Sequence, residues 1–240
     1  MTMTQTKRRE YLIRYLLNEQ SNNHTAIPDD IPSQKRLLRS LMNVRSPKPI
    51  SEEFLLVQDE YLQAELAQKE VVSVSDLTPL APGIYVWQGD ITTLACDAIV
   101  NAANSGMTGC YYPCHGCIDN AIHSYAGVQL RLECDAIIKA QGHEEPTGTA
   151  KITEAYNLPC RFIGSVAICI LETHLMNSRF LYFKLTGMHC TAAPQHSVTA
   201  LHCFRPYPSR SCQVDSFSPL RNITPSFHLT LQKFAKKLLY

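Results

Sequence analysis

Hydrophobic positions change their period along this chain. Near the start, Tyr11, Leu12, Tyr15 and Leu16 recur at the three-to-four spacing of a helix. A second helical stretch, Gln34–Met42, carries Leu37, Leu38, Leu41 and Met42. A third begins at Ser51, an N-cap residue followed by Glu52 and Glu53, and runs through Phe54, Leu55, Tyr61, Leu62 and Leu66. Pro28, Pro32, Pro47 and Pro49 punctuate these segments. Residues 1–80 therefore read as a helical N-terminal extension without chemistry of its own.

Beyond it the pattern shortens to that of strands. Gly83–Gln88 reads as a strand, and Ala98–Val100 is an apolar run of the kind buried on both faces of a sheet. Cys117–Gly127 and Val128–Gln141 read as helices, the second stopped by Gly142. Ala150–Thr153 and Phe162–Ile170 are further strand candidates. Strands alternating with helices predict an α/β domain with a mainly parallel or mixed sheet.

Composition adds little to this until its distribution is considered. The formal net charge of +1 gives no reason to expect nucleic acid or an anionic membrane as partner. The most apolar short run, Ser165–Leu171, is too short to span a bilayer. After Glu172, Asp215 is the only acidic residue against eight Lys and Arg, so a basic final part follows an acidic one. The 10 cysteines come without a signal-peptide pattern, which favours a reducing compartment and metal or reactive thiols over disulfides. The expected location is cytoplasmic, with mitochondria left open.

Two polar clusters follow predicted strands, where open α/β sheets bind ligands. In Gly89-Asp90-Ile91-Thr92 the Asp90 carboxylate could accept from an adenine amino group, or simply cap a turn. In Asn101-Ala102-Ala103-Asn104-Ser105-Gly106 two amides among small residues could meet sugar hydroxyls, or shape a loop.

The densest chemistry comes next. Cys110, Cys114, His115 and Cys117 place three thiols and one imidazole within eight residues. Thiolate and imidazole suit zinc, and three protein ligands would leave a fourth position open. The spacing Cys110-x3-Cys114-x2-Cys117 is also that of four-iron clusters in radical enzymes. The setting between an Asn-rich loop and a helix, and Gly116 before the last Cys, oppose that reading. Asp119 falls in the first turn of a helix, where the dipole favours its charge. It could orient or deprotonate an attacking water, or act as a cap. His123, one turn on, reads as structural.

Taken together, Gly89-Asp90-Ile91-Thr92, Asp97-Ala98-Ile99-Val100-Asn101-Ala102-Ala103-Asn104, Gly109-Cys110, and Pro113-x-His115-x-Cys117-Ile118-Asp119-Asn120-Ala121-Ile122-His123 resemble the macrodomain family, in particular its zinc-dependent protein-ADP-ribose hydrolases. The resemblance runs from about Arg8 to about Pro159. It implies a three-layer α/β/α fold with a mixed sheet; the core is expected over 81–205, aberrant after about 160, and the charge shift marks 206–240 as a basic tail. It implies that Asp90 and Ile91 contact the adenine end of ADP-ribose, and that Asn101 and Asn104 line the distal ribose, Asn104 near the scissile centre. Cys110, His115 and Cys117 match the zinc positions, one Zn2+ per chain, leaving Cys114 as a spare thiol. Asp119 matches the catalytic Asp of a neighbouring branch. The implied substrates are ADP-ribosylated proteins and ADP-ribose.

From about Cys160 the pattern departs. The family's diphosphate loop needs glycine so that backbone amides can close around phosphates, and no glycine occurs after Gly187. Three readings follow. The first is a zinc-dependent hydrolase that removes ADP-ribose from protein side chains. The second is a non-catalytic ADP-ribose-binding module or inactive remnant. The third is a structural zinc protein.

Overall fold

The computed structural model describes residues 3–20, 25–81 and 84–168. The basic tail, the expected phosphate-loop region and the end of the Phe162–Ile170 strand candidate lie outside the described residues.

Each N-terminal helix begins where a polar side chain can satisfy an orphan backbone amide. Helix α1 (Gln5–Asn18) is capped by Thr4, α2 (Ile31–Val44) by Asp30 and α3 (Glu52–Leu66) by Ser51. Pro32 sits in the first turn of α2, where its missing N–H costs nothing. The three helices close on one apolar cluster that includes Leu12, Ile13, Leu16, Leu38, Phe54, Tyr61 and Leu62, and this cluster reaches Val128 of the following domain. Leu12, Ile13 and Phe54 are wholly buried, each contributing roughly 1.5–3 kcal/mol relative to exposure.

The α/β part opens with short pairings. Strand β1 (Val72–Ser73) lies parallel to β4 (Leu94–Ala95), and β2 (Pro79–Ala81) antiparallel to β3 (Ile84–Tyr85). The expected strand over 83–88 is thus only two residues long. Between β3 and β4, Asp90 caps a short 3-10 turn, Ile91–Thr93. The main sheet has the order β5-β7-β6, with β5 (Ala98–Ala103) parallel to β7 (Phe162–Ala167) and β6 (Ala150–Glu154) antiparallel to it. It is a mixed sheet, as expected.

Alternation decides which face of this sheet is buried. Ile99, Ala103, Ile163 and Ala167 point into a cluster with Ile122 and Ala126 of α4 (Ile118–Ala126) and Leu130 and Cys134 of α5 (Val128–Gln141). Helix α5 ends at Gly142, which takes the left-handed φ of 79° that an αL cap requires. The layers seen among the described residues are this sheet and the α4–α5 layer on it. The second helical layer expected of a three-layer fold lies outside the described residues.

One expectation is corrected here. Asn101 belongs to strand β5, which runs three residues beyond Val100, and not to the loop after it. Register pairs it with Ser165 of β7. Its parity with Ile99 and Ala103 aims it at α4, so it is wholly buried.

Candidate active site and metal centre

The site is assembled at the carboxyl end of β5. There the chain turns through Asn104, Met107 and Gly109, crosses the cysteine-rich loop and enters α4. Turn geometry holds the first part: the Met107 amide donates to the Asn104 carbonyl, and Asn104 Nδ2 donates to the Gly109 carbonyl at 3.2 Å. Gly109 is required twice over. Its φ is 87°, and an added Cβ would lie 2.8 Å from the His123 ring. The Ser105 carbonyl and hydroxyl are tied to the Glu145 amide and the Glu144 carboxylate, which fixes the loop's far side.

The cysteine-rich loop brings together three of its four candidate ligands. The donor atoms of Cys110, His115 and Cys117 all lie within 4.8 Å of one another. Cys110 Sγ and His115 Nδ1 are 3.6 Å apart. Tetrahedral coordination, at about 2.3 Å to sulfur and about 2.0 Å to nitrogen, puts neighbouring donors roughly 3.5–3.8 Å apart. The group could therefore bind a metal, and its soft sulfur and borderline nitrogen donors suit a thiophilic cation. Cys114 is turned elsewhere. Its φ is 52°, and its thiol donates to the Arg36 carbonyl of α2 and lies 3.7 Å from Ser40 Oγ. A three-cysteine iron–sulfur arrangement does not fit this orientation.

Cys117 is also the N-cap of α4, its sulfur accepting from the Asn120 amide at 3.4 Å. Burial pushes its thiol up to about 11; the Asn120 amide pulls the other way, while Cys110 and Asp119 add to the rise. A bound cation would reverse that balance, since metal ligation requires the thiolate.

Behind the loop lies a buried polar chain. Asn101 Nδ2 donates to Asp119 Oδ1 at 2.9 Å and to Ser165 Oγ at 3.2 Å. Asp119 is 5% exposed. Burial raises its carboxyl to about 6, opposed by the Asn101 amide and the Arg131 guanidinium. His123 Nε2 stands 3.5 Å from Asp119 Oδ1. Burial, reinforced by Arg131, lowers the imidazole to about 3, so the ring is neutral and this contact is not an ion pair. The sequence reading of His123 as structural agrees with its packing under Gly109.

The other expected residues are placed apart from this chain. Asp90 is exposed; its Oδ1 accepts from the Thr92 amide and hydroxyl, and Lys69 Nζ lies 3.5 Å from its Oδ2. The capping alternative is therefore realised, and the carboxylate still faces outward. The Ile91 side chain is buried in the same cluster as Ile99 and Ile122, so what it can offer a ligand is its backbone.

Three residues around the site carried no signal strong enough to be singled out beforehand. Buried Arg131 of α5 donates to the carbonyls of Met42, Asn43, Arg45 and Thr108. It also lies 4.3 Å from the Tyr111 ring centroid. Asn120 donates to the Tyr112 carbonyl and accepts from Arg39. Asn43 bridges α2 to the cysteine loop and to α4. The one available hint was an Arg set between Val128 and Cys134 on an apolar stripe.

Comparison with known proteins adds independent observations. The Macro domain family model matches residues 100–180. A protein-ADP-ribose hydrolase of Treponema medium is 60% identical over 166 residues, covering 67% of this chain and 64% of that protein. A protein-ADP-ribose hydrolase of Staphylococcus aureus is 49% identical over 158 residues, covering 65% of this chain and 59% of that protein. The chain thus spans about three fifths of the length of these relatives. A Trypanosoma brucei macrodomain in complex with ADP-ribose is 26% identical, over 55% of this chain and 59% of that one, with a TM-score of 0.39. The stretch that the Macro domain model matches includes the cysteine-rich loop, α4 and α5, which build the site.

Proposed function

We propose that this chain is a zinc-dependent hydrolase that removes ADP-ribose from modified protein side chains. The observation that carries this reading is the convergence of Cys110, His115 and Cys117 beside the Asp119 carboxylate. The protein-ADP-ribose hydrolases it resembles support the substrate class. A zinc ion bound there would act as a Lewis acid toward a ribose hydroxyl or lower the pKa of a bound water.

The chain's own residues divide the remaining work. Asn104, held against the Gly109 carbonyl, lines the distal-ribose side near the scissile bond. Asp119 is fixed by Asn101 so that its carboxylate can orient or deprotonate the attacking water. A carboxyl raised to about 6 is well matched to that task near neutral pH. Asn101 acts through Asp119 and is a positioning residue. Asp90 accepts from the adenine amino group in competition with Lys69, and the Ile91 backbone frames the same end.

A second reading, an ADP-ribose-binding module without turnover, is favoured by the absence of glycine after Gly187. Release of ADP-ribose from a mono-ADP-ribosylated protein separates the two. Wild type should release it and His115→Ala should not. ADP-ribose binding without release in wild type would select the second reading. Equal release by both chains would refute a catalytic metal.

A further inference from the structure

We propose that Asn43, on the N-terminal helix α2, is a positioning residue for the metal loop, holding Cys114 in the left-handed conformation that lets Cys110, His115 and Cys117 converge. This rests on the metal site proposed above. Asn43 is 1% exposed although its side chain is fully polar. Its Oδ1 accepts from the Cys114 amide at 2.9 Å, and its Nδ2 donates to Ser124 Oγ at 2.9 Å. Ser124 Oγ in turn donates to the Asn120 carbonyl at 2.6 Å. With Oδ1 accepting from the Cys114 amide and Nδ2 donating to Ser124 Oγ, the orientation of the Asn43 amide is fixed.

The geometry explains why an acceptor is needed at that spot. Cys114 immediately precedes His115 and has φ 52°, a conformation that L-residues adopt at a cost unless their surroundings impose it. The backbone reverses there, sending the Cys114 thiol toward Arg36 and Ser40 and His115 toward Cys110. The Cys114 amide ties this reversal to α2. Arg39, one turn before Asn43, adds a bond to the His115 carbonyl at 3.2 Å. Such outer partners of metal ligands commonly change metal affinity by about 10–100-fold when removed. The helical extension is therefore the outer wall of the metal loop.

The test uses the full chain loaded with zinc, and reads the rate of zinc transfer to a chromogenic chelator. Cobalt substitution gives a second readout, the ligand-field absorption of the bound ion. Asn43→Ala should release zinc at least about 10-fold faster than wild type and perturb the cobalt spectrum. Ser124→Ala breaks the other Asn43 bond but leaves the Cys114 contact, and should stay within about 3-fold of wild type if the loop contact carries the effect. In Asn43→Ala/Cys114→Gly, glycine takes the positive φ without help, so zinc retention should recover. If Asn43→Ala does not fold, Asn43→Asp, which keeps an acceptor for the Cys114 amide, should retain zinc as wild type does. Wild-type rates in Asn43→Ala, equal acceleration in Ser124→Ala, or no recovery with glycine would overturn the proposal. Zinc absent from wild type itself would overturn the metal site, and this role with it.

Discussion

The helical extension and the cysteine loop with α4 are neighbours built on opposite terms. In the extension the helix starts are capped, one apolar cluster fills the core, and the buried polar side chains Gln34, Asn43, Arg45 and Gln58 are tied by hydrogen bonds. At the site Met107, Ile122 and Ala126 are buried beside polar groups that are only partly satisfied. Asn101 Oδ1 and both His123 ring nitrogens lack hydrogen-bond partners. Asp119 and Cys117 are held where their charged forms are disfavoured, and Met107 and Cys114 carry positive φ. The extension provides stability that the site does not. Unpartnered buried polar atoms and positive-φ residues gathered at one place are what the ligand site proposed above would require.

Breaking the stable side should give the largest effect. Phe54→Ala, at a wholly buried position where α3 packs on Tyr15 of α1, is expected to lose about 3–5 kcal/mol in denaturant unfolding of the chain. A loss below about 1 kcal/mol would mean that the extension is not the stabilising region. The joint between the regions comes next. Arg131→Met keeps much of the buried stem but leaves carbonyls of α2 and Thr108 without their donor, costing on the order of 3 kcal/mol. Limited proteolysis of that variant should cut first within 43–50, where α2 hands over to the following loop.

A smaller effect sharpens the comparison on the side of the site. The folded His123 titrates at about 3, against about 6.5 for an exposed imidazole. The unfolded chain therefore binds more protons between those values. The contribution is complete above about pH 6.5 and is lost as pH falls toward 3, at no more than about 1.4 kcal/mol per pH unit. His123→Phe, similar in size and unable to titrate, should show a shallower fall in stability between pH 6.5 and 4. Superimposable pH profiles would remove His123 as a source of acid lability. The smallest effect belongs to a cap: Ser51→Ala should cost about 1 kcal/mol by loss of its bond to the Phe54 amide, without altering metal content.

The same contrast explains what could be read from the chain in advance. Helical periodicity, the Ser51 cap and the Gly142 stop are local signals, and the helices appeared where they pointed. Strand ends were less legible, because what carries β5 through Asn101 to Ala103 is pairing with β7 some sixty residues later. The cysteine-rich loop stood out by density alone, and three of its donor atoms converge. That Cys114 lies apart from the converging donors was not readable from spacing, since it follows from one backbone reversal in contact with α2. The contacts of Arg131 and Asn43 across the two regions join residues 71–89 apart in the chain, with no short-range pattern to mark them. Sequence therefore disclosed the candidate groups better than the framework that holds them.

The most direct measurement is the zinc content of the purified full chain, in wild type, Cys114→Ser and Cys117→Ser. About one zinc per chain is expected in wild type and in Cys114→Ser, and little or none in Cys117→Ser. A Cys114→Ser chain that loses its zinc, or a Cys117→Ser chain that keeps it, would contradict the site described here.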